Sequence, residues 1–90
     1  MSIIKEPELK TNKWGDKYWV LDGKYHREDG PAIIAMDGML QWRINGLLHR
    51  EDGPAIVYTK HKHQEYFLKD KEIDKKEFIK ILIKRRLKAL

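Results

Sequence analysis

Apolar and polar positions alternate with a period of two along three short runs, Tyr18 to Leu21, Gln41 to Ile44 and Tyr66 to Leu68. A two-residue period places alternate side chains on opposite faces of a strand. It sets Trp19 with Leu21, Trp42 with Ile44, and Tyr66 with Leu68 on one face, the expected core. Tyr18, Val20, Gln41, Arg43 and Phe67 fall on the other, wetter face. Between the apolar runs stand Asp22-Gly23, Asp37-Gly38 and Asn45-Gly46, dipeptides that supply the positive φ angles of a tight hairpin turn. The pattern predicts strands near residues 17–21, 32–36, 39–44, 55–59 and 64–68, with short pieces near 24–25 and 47–48. From residue 75 onward the period changes. Asp74-Lys75-Lys76-Glu77 has the spacing of a helix capping box, and no Gly or Pro follows. At helical spacing Phe78, Ile79, Leu82, Ile83, Leu87, Ala89 and Leu90 cover one half of the helix, and Lys80, Lys84, Arg85 and Lys88 the other. Ile81 lies outside that apolar half and Arg86 inside it. The helix is expected to close the hairpin core as a lid, with a homodimer through the same helix in addition.

The runs belong to an internal repeat. His26 to Ile33 reads HREDGPAI, and His49 to Ile56 repeats it letter for letter at a spacing of 23 residues. Upstream, Trp19 to Gly23 aligns with Trp42 to Gly46. Tyr66 to Asp70 begins a third, altered copy displaced by one inserted residue. The chain thus divides into an N-terminal arm (1–13), hairpin repeats (14–73) and a helix (74–90), all in one domain. The fold class that follows is mainly β, an antiparallel sheet of tandem 23-residue hairpins capped by a C-terminal amphipathic helix. A domain of 90 residues buries only about 60–65% of its unfolded surface, so its stability leans on strongly specified local structure or on a partner.

Within HREDGPA, Asp accepts backbone hydrogen bonds, Gly permits tight turning and Pro stops the ladder before the next strand. Identical letters in successive copies mark a folding problem solved twice. Trp19, Gly23, His26, Asp29 and Gly30, with Trp42, Gly46, His49, Asp52 and Gly53, are therefore assigned to building the repeat rather than to catalysis.

The run W-x-x-N-G-x-x-H-R-E-D-G-P-A-I from Trp42 to Ile56 resembles β-hairpin repeats of bacteriophage and giant-virus proteins. It is also similar to MORN (membrane occupation and recognition nexus) repeats in its period and its Asn-Gly and Asp-Gly signals. The likeness spans residues 14–73, and Asp74 to Phe78 is similar to the ending of the viral-type arrays. It implies stacked hairpins and a viral source. HREDGPA replaces the plain His-Gly-x-Gly linker of MORN repeats, so the phospholipid binding of some MORN proteins is not carried over.

Charge narrows the function. Net charge is +5, yet residues 1–70 carry 11 basic and 11 acidic side chains, while 71–90 carry 8 and 3. The basic surplus is confined to the helix. Lys75, Lys76, Lys80, Lys84, Arg85, Arg86 and Lys88 are a means of binding phosphates, although no helix-turn-helix, zinc-finger or RNA-recognition signature accompanies them. There is no cysteine, and Ser2, Thr11 and Thr59 are the only hydroxyl nucleophiles besides tyrosines. His61 and His63 with Glu65 have metal-ligand types, but Lys60 to His63 reads as a polar hairpin loop. No enzyme activity, cofactor or metal is expected. No apolar run approaches the roughly 20 residues of a membrane span, and MSIIKEPELK lacks a signal-peptide core, so a soluble, cytoplasmic chain without membrane contact is expected.

These features point to a non-catalytic module that binds a larger host protein or complex. The viral likeness implies an inhibitor of a host enzyme or defence complex, for example of anti-CRISPR type. Contacts are expected at Tyr18, Arg43, Tyr58 and Phe67 on the sheet, and at Lys80, Lys84, Arg85 and Lys88 on the helix. The alternative is nucleic-acid binding by that helix.

Overall fold

The computed structural model describes residues 5–89. It contains ten short strands: β1 (Glu8–Thr11), β2 (Lys17–Leu21), β3 (Lys24–Tyr25), β4 (Ile33–Ile34), β5 (Met39–Gln41), β6 (Arg43–Ile44), β7 (Leu47–Leu48), β8 (Ile56–Tyr58), β9 (His63–Leu68) and β10 (Lys71–Ile73). A helix, α1 (Lys75–Lys88), follows. All pairings are antiparallel. The main sheet runs β1-β2-β4-β5-β8-β9-β10, β3 pairs with β2, and β6 pairs with β7. The fold is a mainly β antiparallel sheet with one C-terminal helix among the described residues.

Local chemistry explains the hairpins. Asp22-Gly23 and Asn45-Gly46 take positive φ at both positions, 51° and 76°, then 50° and 81°, which a type I′ turn requires. Lys69-Asp70 takes the same form, with φ of 47° and 68°, so the altered third copy keeps the turn without its glycine. The outgoing strand of each hairpin pairs near its turn with a short partner: β2 with β3, β6 with β7, β9 with β10. After the loop, the return strands β4 and β8 lie back beside the outgoing strand of their own copy and pair on their far side with that of the next. The continuous strand expected over 39–44 is interrupted at Trp42, whose N–H donates to Ala55 C=O at 2.8 Å while its C=O accepts from His49 N–H at 3.0 Å.

Two strands lie outside the sequence expectation, β10 and, within the N-terminal arm, β1. Lys10 stands opposite Tyr18 and Thr11 opposite Lys17. One spacing later, Ile33 stands opposite Gln41 and Ile34 opposite Leu40. One further, Ile56 stands opposite Glu65 and Val57 opposite Gln64. Lys10 and Thr11 of β1 therefore hold the register of a return strand, while Leu9 and Glu8 continue opposite Trp19 and Val20, beyond the point where β4 and β8 leave the ladder. The inserted residue falls in the turn between β8 and β9, where Lys62 (φ 52°) takes the left-handed place held by Gly15 (φ 90°) and Gly38 (φ 95°).

The aromatic face expected as the core is only half-buried: Trp19, Leu21, Trp42, Ile44, Tyr66 and Leu68 all keep some exposure. The buried side chains are Ala32, Ala55, Ile56, Phe78 and His26. The reason is the shape. The molecule measures 45 × 41 × 19 Å and has a radius of gyration of 14.5 Å, against about 12 Å for a compact domain of this length. A slab one sheet thick has no second layer to cover its aromatic face, so loops and one helix do so in part.

Candidate binding surface

The HREDGPA segments make the same contacts twice. His26 Nδ1 accepts the N–H of Asn45 at 2.9 Å, and His49 Nδ1 accepts that of Lys69 at 3.0 Å. Each imidazole thus holds the hairpin turn of the following copy. The guanidinium of Arg27 lies 3.8 Å from the ring centre of Trp19, and that of Arg50 lies 3.9 Å from Trp42. Arg27 Nε donates to Asp29 at 2.9 Å and Nη1 to Pro31 C=O at 3.2 Å; Arg50 bonds Asp52 and Pro54 C=O at 2.9 and 3.1 Å. A planar fork that both stacks and donates is the particular capability of arginine. A Cβ on Gly30 or Gly53 would come within 3.0 or 2.8 Å of the guanidinium carbon, so glycine makes room for the stack. Ala32 and Ala55 are fully buried where return and outgoing strands meet.

The histidine, arginine and aspartate side chains of the motif are therefore engaged in holding one copy to itself or to the next. The groove between the two loops, lined by Asp29, Trp42, Ile44, His49 and Glu51 among others, is open to solvent. Its lining includes no Ser or Thr hydroxyl. Among the described residues no group of three or more His, Asp or Glu side chains is placed to hold a metal.

In the third copy α1 replaces the loop. Asp74 caps the helix, accepting Glu77 N–H at 2.9 Å. One turn later Phe78, 3% exposed, packs on Tyr66 with ring centres 4.8 Å apart. The aromatic ring of Phe78 thereby covers the position that arginine covers on Trp19 and Trp42. Ile81 and Leu82 are half-buried, and Arg85 Nη1 reaches Glu51 at 2.8 Å. At 3.6 residues per turn these four residues form one face.

This face corrects the expected lid. Ile81, expected outside the apolar half, is on the docking side, whereas Ile79, Ile83 and Leu87 turn to solvent at 43%, 52% and 64% exposure. The helix carries two apolar stripes, of which the sheet uses one, because a slab edge is narrower than the apolar half of the helix. Leu90 lies outside the described residues. Lys80, Lys84 and Lys88 run along one side of the free stripe, and Lys75 and Arg86 along the other.

The remaining expected contact residues do not gather. Tyr18 packs edge-on against Tyr25, with ring centres 5.9 Å apart. Arg43 donates at 2.8 Å to both Gln41 Oε1 and Gly46 C=O. Tyr58 leans on His63, and Phe67 is half-buried in β9. Arg85 is drawn inward by Glu51. Of the expected set, Lys80, Lys84 and Lys88 alone share one exposed row. The free stripe Ile79, Ile83 and Leu87 was present in the i, i+4, i+8 spacing, but nothing in the sequence told it from the docking stripe.

Among the described residues no helix is long and apolar enough to cross a membrane. No family model, curated protein or solved structure matches this chain.

Proposed function

We propose that this protein is a non-catalytic protein-binding module that lays the outward face of α1 into a groove of a larger partner. One observation carries the reading: Ile79, Ile83 and Leu87 form an apolar ridge facing solvent between two basic rows. Anchors at i, i+4 and i+8 are how an amphipathic helix reads a hydrophobic groove. Burying such a side chain fully contributes about 1.5–3 kcal/mol. The basic rows favour a groove rimmed by Asp and Glu.

The basic rows would equally serve phosphates, but an apolar ridge has no counterpart on a nucleic-acid backbone, so protein is the better fit. A second copy of α1 fits poorly, since it would set basic rows against basic rows. The likeness of the repeat to bacteriophage and giant-virus arrays supports a host enzyme or defence complex as the target class.

The test is affinity capture from host lysate at low and high salt, with and without nuclease, using the intact chain beside Ile83→Asp and Leu87→Asp. Retention of one protein throughout, and its loss with either variant, is the expected result. Partners that vanish with nuclease, or a partner indifferent to both variants, would overturn the reading.

A further inference from the structure

The outer edge of β1 is complementary to itself. No described strand lies on that side of β1, and all of its residues are exposed, Leu9 by 50%. The ladder decides which backbone groups face the open side. Asn12 N–H donates to Asp16 C=O at 3.2 Å, toward β2, and alternate residues of an antiparallel pair turn their N–H and C=O to opposite sides. Lys10 and Glu8 therefore bond inward, beside Tyr18 and Val20, while Thr11 and Leu9 point outward. The other flank of β2 agrees: Trp19 N–H donates to Ala32 C=O at 2.9 Å, which leaves Tyr18 for β1. The chain keeps the same course ahead of β1. Pro7 lines a groove with Trp19 and Leu21, and Lys5 Nζ reaches Asp22 at 3.1 Å, so the C=O of Pro7 also falls on the outward side.

Side chains restrict how two such edges can meet. Outward residues must face outward residues, so the two-fold axis of an antiparallel pair of β1 strands passes beside Glu8, Leu9, Lys10 or Thr11. An axis at Glu8 or at Lys10 sets that charge against its own copy. One at Thr11 carries Leu9 and Glu8 past the end of the facing strand. An axis at Leu9 sets Glu8 of each copy opposite Lys10 of the other, at the non-hydrogen-bonded positions where side chains come closest. Among the described residues neither Glu8 nor Lys10 is in an ion pair. In that register Leu9 exchanges backbone bonds with Leu9 of the second copy, and each Thr11 N–H meets a Pro7 C=O. Lysine and proline on an edge strand guard it against indiscriminate pairing, and at positions 10 and 7 they leave this register open.

We infer that the chain forms a two-fold dimer with a second copy of itself, β1 against β1 with the axis at Leu9. The contact joins two sheets into one and brings the Leu9 side chains together on the face that carries Trp19 and Leu21. It is isologous and closes at two. So short a ladder buries little surface, and half-association is expected at about 0.1–1 mM. The free face of α1 takes no part, and the inference is independent of the proposed function.

Sedimentation velocity of the full chain from roughly 10 μM to 1 mM tests it. The expected result is a monomer–dimer equilibrium with no larger species. Glu8→Lys and Lys10→Glu each set like charges opposite and should raise the concentration for half-association about tenfold. Mixing the two variants in equal amounts should restore association as a heterodimer, because each charge again meets its opposite. Leu9→Pro removes the outward N–H while leaving the bonds to β2, and should abolish the dimer with the far-ultraviolet spectrum of the fold retained. A monomer over the whole range would overturn the inference. So would a dimer that ignores the charge variants, or one abolished by Ile83→Asp.

Discussion

Replacing His26 by Ala tests the bond that joins one copy to the next. The side chain is 9% exposed, and its Nδ1 receives the Asn45 amide at 2.9 Å. Removing the acceptor leaves a turn amide without a protein partner, at a cost of about 1–3 kcal/mol, and the lost packing of a buried ring adds about 1 kcal/mol. The expected loss is about 2–4 kcal/mol. For a domain of this length each kcal/mol moves Tm by about 4–8 °C, so His26→Ala should melt about 8–32 °C lower by circular dichroism. Glu28 is the control. Its carboxylate is 3.7 Å from His26 Nε2 and its side chain is 82% exposed, so Glu28→Gln should change stability by no more than about 0.5 kcal/mol. His49→Ala removes the same bond at the last turn, where the ring is more exposed, and should cost less than His26→Ala. A loss below about 0.5 kcal/mol for His26→Ala, or an equal loss for Glu28→Gln, would refute the turn-holding role.

Outcomes at four further positions are expected. Phe78→Ala should cost about 3–5 kcal/mol and reduce helical ellipticity, because it empties the one buried contact of α1; Ile83→Asp, at a 52% exposed position, should leave urea unfolding within about 0.5 kcal/mol of the parent. Lys69→Asn should stabilise by about 0.5–1 kcal/mol, since φ of 47° is strained for lysine and accommodated by asparagine; an unchanged or lower denaturation midpoint would contradict this. Hydrogen bonds from the Asn12 side chain and the Met36 N–H hold the Asp16 carboxyl below its ordinary pKa. Its contribution is therefore complete above the unfolded carboxylate pKa and is lost as pH falls through the lower folded value. An NMR titration should place the Asp16 midpoint below that of an exposed aspartate, and Asp16→Asn should flatten the acid limb of the stability curve.

The hairpins were legible because their information is local. A turn such as Asn45-Gly46 depends on the φ angles of two residues, and those residue types state them. The helix start at Asp74 was readable for the same reason. β1 was not legible. Glu-Leu-Lys-Thr shares no letters with Ala-Ile-Ile, and only its register against Lys17 and Tyr18 reveals a return strand. Nor could periodicity tell which half of the apolar surface of α1 would dock, since both stripes have helical spacing and only the width of the sheet edge selects Phe78, Ile81 and Leu82.

By itself the sequence determined the tight turns, the course of the outgoing strands and the helix that follows them, all set by chemistry within a few residues. Tertiary structure decided what each unit rests on. The partner of His26 is an amide 19 residues away, and the cover of Tyr66 is a ring on the helix. Those outcomes depend on contacts between distant segments, and a one-sheet slab leaves few such contacts, so each determines much of the surface that remains free.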